Sequence, residues 1–208
     1  MNFNFRLMRW LSPKHASHGL AVWTPLARTE ERPLLYKRLD DALNQLNASA
    51  PGRYGRVRSS LEGILIFGID STKASYNSDT GICQLREKFM LAPDTTPATV
   101  ACALVHEATH GRLFQLGIRR DEPLRYRVEM VCIKASLLTM QRLPGAEAEV
   151  DRCRRQLTID SKCFSDESFT QRAASEMRKL GAPEWLVRHL IRVRRKRAAN
   201  SAGLLRSD

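Results

Sequence analysis

The chain has 208 residues, of which 43% are hydrophobic and 27% charged, with 11 Gly and 9 Pro. That length and mixture favour one globular domain with some elaboration and exclude collagen-like, low-complexity and disordered classes. The net charge is +12, from 34 Lys and Arg against 22 Asp and Glu, and seven basic residues between Trp185 and Ser207 (Arg188, Arg192, Arg194, Arg195, Lys196, Arg197 and Arg206), with no acidic one, supply +7 of it.

Several further classes drop out on pattern. No apolar run approaches the ~20 residues of a membrane helix. The N-terminal stretch MNFNFRLMRWLSPKH is interrupted by Arg6, Arg9 and Lys14 where a signal peptide has its apolar region, so it reads as mature protein. Five cysteines (Cys83, Cys102, Cys132, Cys153 and Cys163) are an odd number without a CxxC pair and sit mostly among apolar neighbours. They argue against a disulfide framework or a cysteine zinc knuckle and for a reducing, cytoplasmic setting.

In chain order, Pro33 to Leu46 carries apolar residues at helical spacing (Leu34, Leu35, Leu39, Ala42, Leu46) and reads as an amphipathic helix. Asn47 to Gly55 (NASAPGRYG) reads as a loop. Gly63 to Asp70 (GILIFGID) and Gly81 to Arg86 (GICQLR) read as strands pairing as an antiparallel ribbon, and Ser71 to Gly81 holds turn residues at Asn77, Ser78 and Asp79.

From Asp94 onward the signals are helical. Thr96 and Pro97 form a cap and first position, and Gly117 a C-terminal glycine, for a helix from Pro97 to Leu116. A second helix opens at Pro123 and runs to about Arg142. Further helices are expected at roughly Ala146 to Cys163, Ser168 to Leu180 and Pro183 to Arg197. The fold class is therefore α+β, a small antiparallel sheet followed by a mainly helical body. It is organised as 1–60 (an N-terminal segment with one amphipathic helix), 61–182 (a core) and 183–208 (a basic helix and tail).

Inside the Pro97 helix lies His106-Glu107-Ala108-Thr109-His110, the HExxH pattern. Residues four apart on a helix share one face about 6 Å apart along the axis, so both imidazoles can reach one metal ion. Glu107, one position round, can hydrogen-bond a metal-bound water without itself ligating. Random order of this composition gives the pattern in roughly one such chain in 150, so further support is needed. The helix is apolar nearly all round and so should be buried, where polar groups need partners.

A catalytic zinc site takes three protein ligands and leaves one position for water. The helix runs ~10 Å beyond His110 to Gly117, and an antiparallel successor starting at Pro123 returns ~9 Å to reach Glu129, level with His110. Glu129 lies opposite the polar stripe of Arg127, Lys134 and Gln141 and among Cys132, Ile133, Ser136 and Met140, so it faces inward. A buried carboxylate needs a cation. The metal is preferred, and an ion pair with Arg125, one turn earlier, is the alternative.

HExxH followed by eighteen residues and a glutamate (His106, Glu107, His110, Glu129) resembles the gluzincin group of zinc metallopeptidases, in its compact, minigluzincin-like form, over about Leu61 to Arg142. The resemblance implies a zincin-like core with the HExxH helix at its centre, Zn²⁺ held by His106, His110 and Glu129, Glu107 as the catalytic acid and base, and peptide or protein substrates. The surroundings of Glu129 (RVEMVCIKAS) lack the pairings that many larger gluzincins show, and no third histidine follows at metzincin spacing.

On this reading a substrate strand would pair with the edge at Gly81 to Arg86. Tyr126, Tyr76 and His189 are candidate donors to the transition-state oxygen, Tyr126 first because it precedes Glu129 by three residues. The high positive charge suggests an acidic substrate. A ferritin-like di-metal site fails because no other histidine has a glutamate three positions before it. Two readings compete: a zinc-binding module without catalysis, which would not need Glu107, and an interaction protein. The latter would use Leu186, Leu190 and Val193 as an apolar stripe and Arg188, Arg192 and Arg195 to meet nucleic acid or an anionic surface.

Overall fold

The computed structural model describes residues 12–13, 15–67, 73–179 and 181–193. Its elements in chain order are β1 (His15–Ser17), β2 (Leu20–Trp23), α1 (Arg32–Ser49), α2 (Pro51–Ser60), β3 (Gly63–Ile66), β4 (Ala74–Asn77), β5 (Ile82–Leu85) and α3 (Glu87–Leu91). There follow α4 (Pro97–Gln115), α5 (Glu122–Met140), α6 (Glu147–Leu157), a 3-10 turn (Ser161–Phe164), α7 (Asp166–Lys179) and α8 (184–193). Two compact units result: residues 1–119 with 128–158, and residues 120–127 with 159–208.

In the first unit the strand order is β1-β2-β3-β5-β4. β2, β3 and β5 run parallel to one another, while β1 and β4 are antiparallel to their neighbours. The sheet is thus mixed, which corrects the antiparallel expectation. In particular Gly63 to Ile66 and Ile82 to Leu85 pair in parallel. The chain leaves β3, lays β4 one place farther out, and turns back to fit β5 between them. All four residues of β3 are buried, as in a strand covered on both faces. β4, with four half-buried residues, has little periodicity to announce it. The turn between β4 and β5 does follow its chemistry: the Asn77 side chain accepts from the N–H groups of Asp79 and Thr80, and Gly81 takes φ +69°.

Residues 15–60, expected to carry one helix, supply two strands of the sheet and two helices. Asn47 to Gly55 is helical except for a break at Ala50. Pro51 explains both the loop signal and the outcome. A residue preceding proline is pushed out of the α region, and Ala50 sits at φ −148°, while Pro51 has no N–H to lose and occupies the first position of α2.

Leu35, Leu39, Ala42, Leu43 and Leu46 of α1 are fully buried and join Val100, Ala101, Leu104 and Ala108 of α4, and Ile64, Ile66, Cys83 and Leu85 of the sheet, in one core. The helix α4 starts and ends as its sequence says. The Thr96 hydroxyl accepts from the Thr99 N–H at 3.2 Å, and Gly117 follows the last turn at φ +78°.

Gly111, beside the motif, lets α4 approach its neighbours. A Cβ there would stand 2.6 Å from the Ser60 carbonyl oxygen and 3.1 Å from the Tyr76 ring. Alanine is the better helix former by about 1 kcal/mol, but the first obstacle is backbone and cannot swing away. Gly111→Ala is therefore expected to lower stability by about 1–3 kcal/mol, the usual range for overpacking. A denaturant midpoint equal to or above that of the wild type would contradict this.

In the second unit, the Phe169 ring lies beneath the guanidinium groups of Arg120, Arg125 and Arg172 at 5.8, 5.3 and 4.5 Å. Arg125 also donates to the Phe164 carbonyl at 3.1 Å. In α8, Val187 is buried, Leu186, Leu190 and Val193 are half-buried, and Arg188 and Arg192 are exposed. The rest of the basic segment, including Arg195, lies outside the described residues. Among the described residues no helix is long and apolar enough to cross a membrane.

Candidate metal centre

The centre belongs to the first unit and is built by α4 and α5. Almost every residue of α4 from Ala98 to Gly111 is buried, including Glu107 and His110. The four-residue spacing sets the two imidazoles on one face, with ring centroids 4.9 Å apart and planes inclined at 67°. Their Nε2 atoms are 3.2 Å apart.

Glu129 is 6% exposed, as its place on the inner face of α5 implied. One carboxylate oxygen stands 3.4 Å from Nε2 of His106 and the other 3.5 Å from Nε2 of His110. These three separations can be set against coordination chemistry. Zn–N and Zn–O bonds of about 2.0–2.2 Å at tetrahedral angles put neighbouring donor atoms about 3.3–3.5 Å apart. Two imidazole nitrogens and a carboxylate at 3.2–3.5 Å, with carboxylate and one ring nearly shielded from solvent, are a donor set that fits such an ion.

Glu107 is 7% exposed and, with His106, lines a cavity of about 360 Å³ that also touches Ala74 at the start of β4, Lys73, Arg152 and Gln156. Burial pushes the Cys83 thiol of β5 well up from its ordinary value, and the negative charge of Glu107 adds to the effect. Another wall of the cavity is a pair of thiols, Cys102 and Cys153, with sulfurs 3.9 Å apart. Contact with the Cys153 sulfur, then burial, pushes the Cys102 thiol well up. Arg152 donates to the Cys102 sulfur at 3.3 Å and pairs with Glu149.

The three candidate donors for a transition-state oxygen separate. Tyr76 lies on β4 beside Gly111, and burial followed by the charge of Glu62 raises its pKa. Tyr126, by contrast, belongs to the second unit, where its ring packs on Phe164 at 5.8 Å, and His189 is an exposed residue of α8 in that unit. His106, His110 and Glu129 are brought together, with Glu107 at the adjoining cavity.

Cys132, which the sequence marks only as an interior residue beside Glu129, lies near the same two histidines. Its sulfur and one ring nitrogen from each of His106 and His110 all lie within 4.8 Å of one another, and the residue is fully buried. The signal was present in its position three residues after Glu129 on the same helical face, but it served only to mark that face as interior.

Compared with protein-family models, curated proteins and solved structures, the chain matches none.

Proposed function

We propose that the protein is a zinc-dependent metallopeptidase of gluzincin type, in which His106, His110 and Glu129 hold the ion and Glu107 handles the proton. The observation that carries this reading is the convergence of two Nε2 atoms and the Glu129 carboxylate to mutual distances of 3.2–3.5 Å, with Glu107 on the cavity beside them. When bound, zinc supplies Lewis-acid polarisation of a scissile carbonyl and lowers the pKa of water. Glu107 accepts the proton of the attacking water and delivers it to the leaving amine nitrogen. A site serving structure alone has no use for such a group.

Backbone placement supports a peptide substrate. β4 pairs with β5 on one side only, so among the described residues it is an edge, and Ala74 at its start lines the cavity with His106 and Glu107. An extended chain added to β4 by main-chain hydrogen bonds would pass that cavity. The edge is β4 and not the segment 81–86, which lies inside the sheet. Lys73 on the cavity wall agrees with a preference for acidic peptides. On this reading the buried thiols belong in a reducing, cytoplasmic compartment.

The test is digestion of a library of unfolded peptides by the zinc-loaded protein, with fragments identified by mass spectrometry. Cleavage is expected, abolished by a chelator, restored by zinc, and faster for acidic than for basic members. Intact peptides throughout, with zinc bound, in both the wild type and Cys132→Ala would overturn the proposal. Equal turnover of the acidic and basic sets would remove the charge preference alone.

A further inference from the structure

The metal-binding reading above gives three protein ligands, yet a fourth potential donor faces the same point. Cys132 is fully buried on α5, three residues after Glu129, so both side chains leave the same face of one helix. Its sulfur forms, with a ring nitrogen of each histidine, a cluster with all separations within 4.8 Å. A buried cysteine usually acts as a small apolar side chain. This one sits within 4.8 Å of a ring nitrogen of each of the two histidines, and a thiolate is a donor that zinc takes readily.

We propose that Cys132 is a fourth ligand of this site and that the resting centre is closed, a conclusion that rests on the zinc reading above. In a tetrahedral centre with a Zn–S bond of about 2.3 Å, the sulfur stands roughly 3.6 Å from its nitrogen neighbours. The separations in the structure lie within 4.8 Å, so binding would draw the sulfur in by about an ångström or less. With Cys132 bound, His106 and His110 from α4 and Glu129 and Cys132 from α5 would supply four protein donors.

Closure has a mechanistic consequence. Structural zinc sites use four protein ligands, whereas hydrolytic ones keep a position for water. With Cys132 bound, the water that Glu107 deprotonates has no place at the ion. On this reading, activity would require the Cys132 thiolate to give up its place to water, taking a proton from solvent. The thiolate also discriminates against magnesium, calcium and manganese, which prefer oxygen donors.

The decisive experiment replaces zinc with cobalt(II) in the full-length protein and in Cys132→Ala and Cys132→Ser, with metal content and absorption measured together. The expected wild-type result is one cobalt per chain with a thiolate-to-cobalt charge-transfer band in the near ultraviolet. Both variants should keep one cobalt per chain and lose that band. Both should also hydrolyse peptides about tenfold faster than the wild type or more, and rates equal to or below the wild type overturn the closed resting centre. One cobalt per chain without the band, or a band that survives in both variants, overturns the role of Cys132 and leaves the three-ligand reading standing. Failure of the wild type to bind cobalt or zinc overturns both.

Discussion

Glu107→Gln should abolish peptide hydrolysis while leaving the metal in place. Glutamine keeps the size and a hydrogen-bonding oxygen but cannot take a proton at neutral pH, so the substitution removes the chemistry and little else. General acid and base groups contribute about 10²–10⁴-fold in rate, and the loss should fall in that range. The residue is 7% exposed on a helix whose neighbours are buried, so a change of shape there would disturb packing. The near-isosteric variant avoids this. Measured on the Cys132→Ala background, in which the closed-centre proposal expects the fourth position to be open, the comparison isolates proton transfer from ligand exchange. Hydrolysis within a few-fold of the parent, with metal content equal, would show that Glu107 is not the proton-handling group.

Zinc affinity should fall steeply in His110→Ala and in Glu129→Gln. Loss of an outer-shell partner typically costs 10–100-fold in metal affinity, and removal of a direct ligand should exceed about 100-fold. Glu129→Gln is the more informative, because it preserves volume beside two imidazoles and changes mainly the charge that opposes the ion. Competition with a chromophoric chelator measures the constants, and circular dichroism checks that both variants fold. Undiminished affinity in Glu129→Gln would contradict the gluzincin-type ligand set and hand the third position to Cys132.

The parts of the molecule legible in the sequence are those fixed locally. The limits of α4 follow from Thr96, Pro97 and Gly117, whose roles depend on a few neighbouring backbone groups. The pairing of His106 with His110 follows from helical geometry, and the inward turn of Glu129 from the polar stripe opposite it. What escaped depends on contacts between segments distant in sequence. The parallel pairing of β3 with β5 and the edge position of β4 arise because the chain skips a place in the sheet, which no periodicity records. The break at Ala50 shows the opposite failure: a strong local signal at Pro51 was read as a loop, where proline in fact starts a second helix. Cys132 is legible only as an interior residue of α5, because a thiol on a buried face does not show in the sequence which side chains across the helix pair lie beside it.

The zinc content of the purified wild-type protein, measured by elemental mass spectrometry before and after chelation and reconstitution, bears most directly on the central claim. One zinc per chain, removed by the chelator and recovered on adding the ion back, is the predicted result; a protein that folds and takes up no zinc after reconstitution would contradict it and leave His106, His110 and Glu129 as a buried ion-pair cluster.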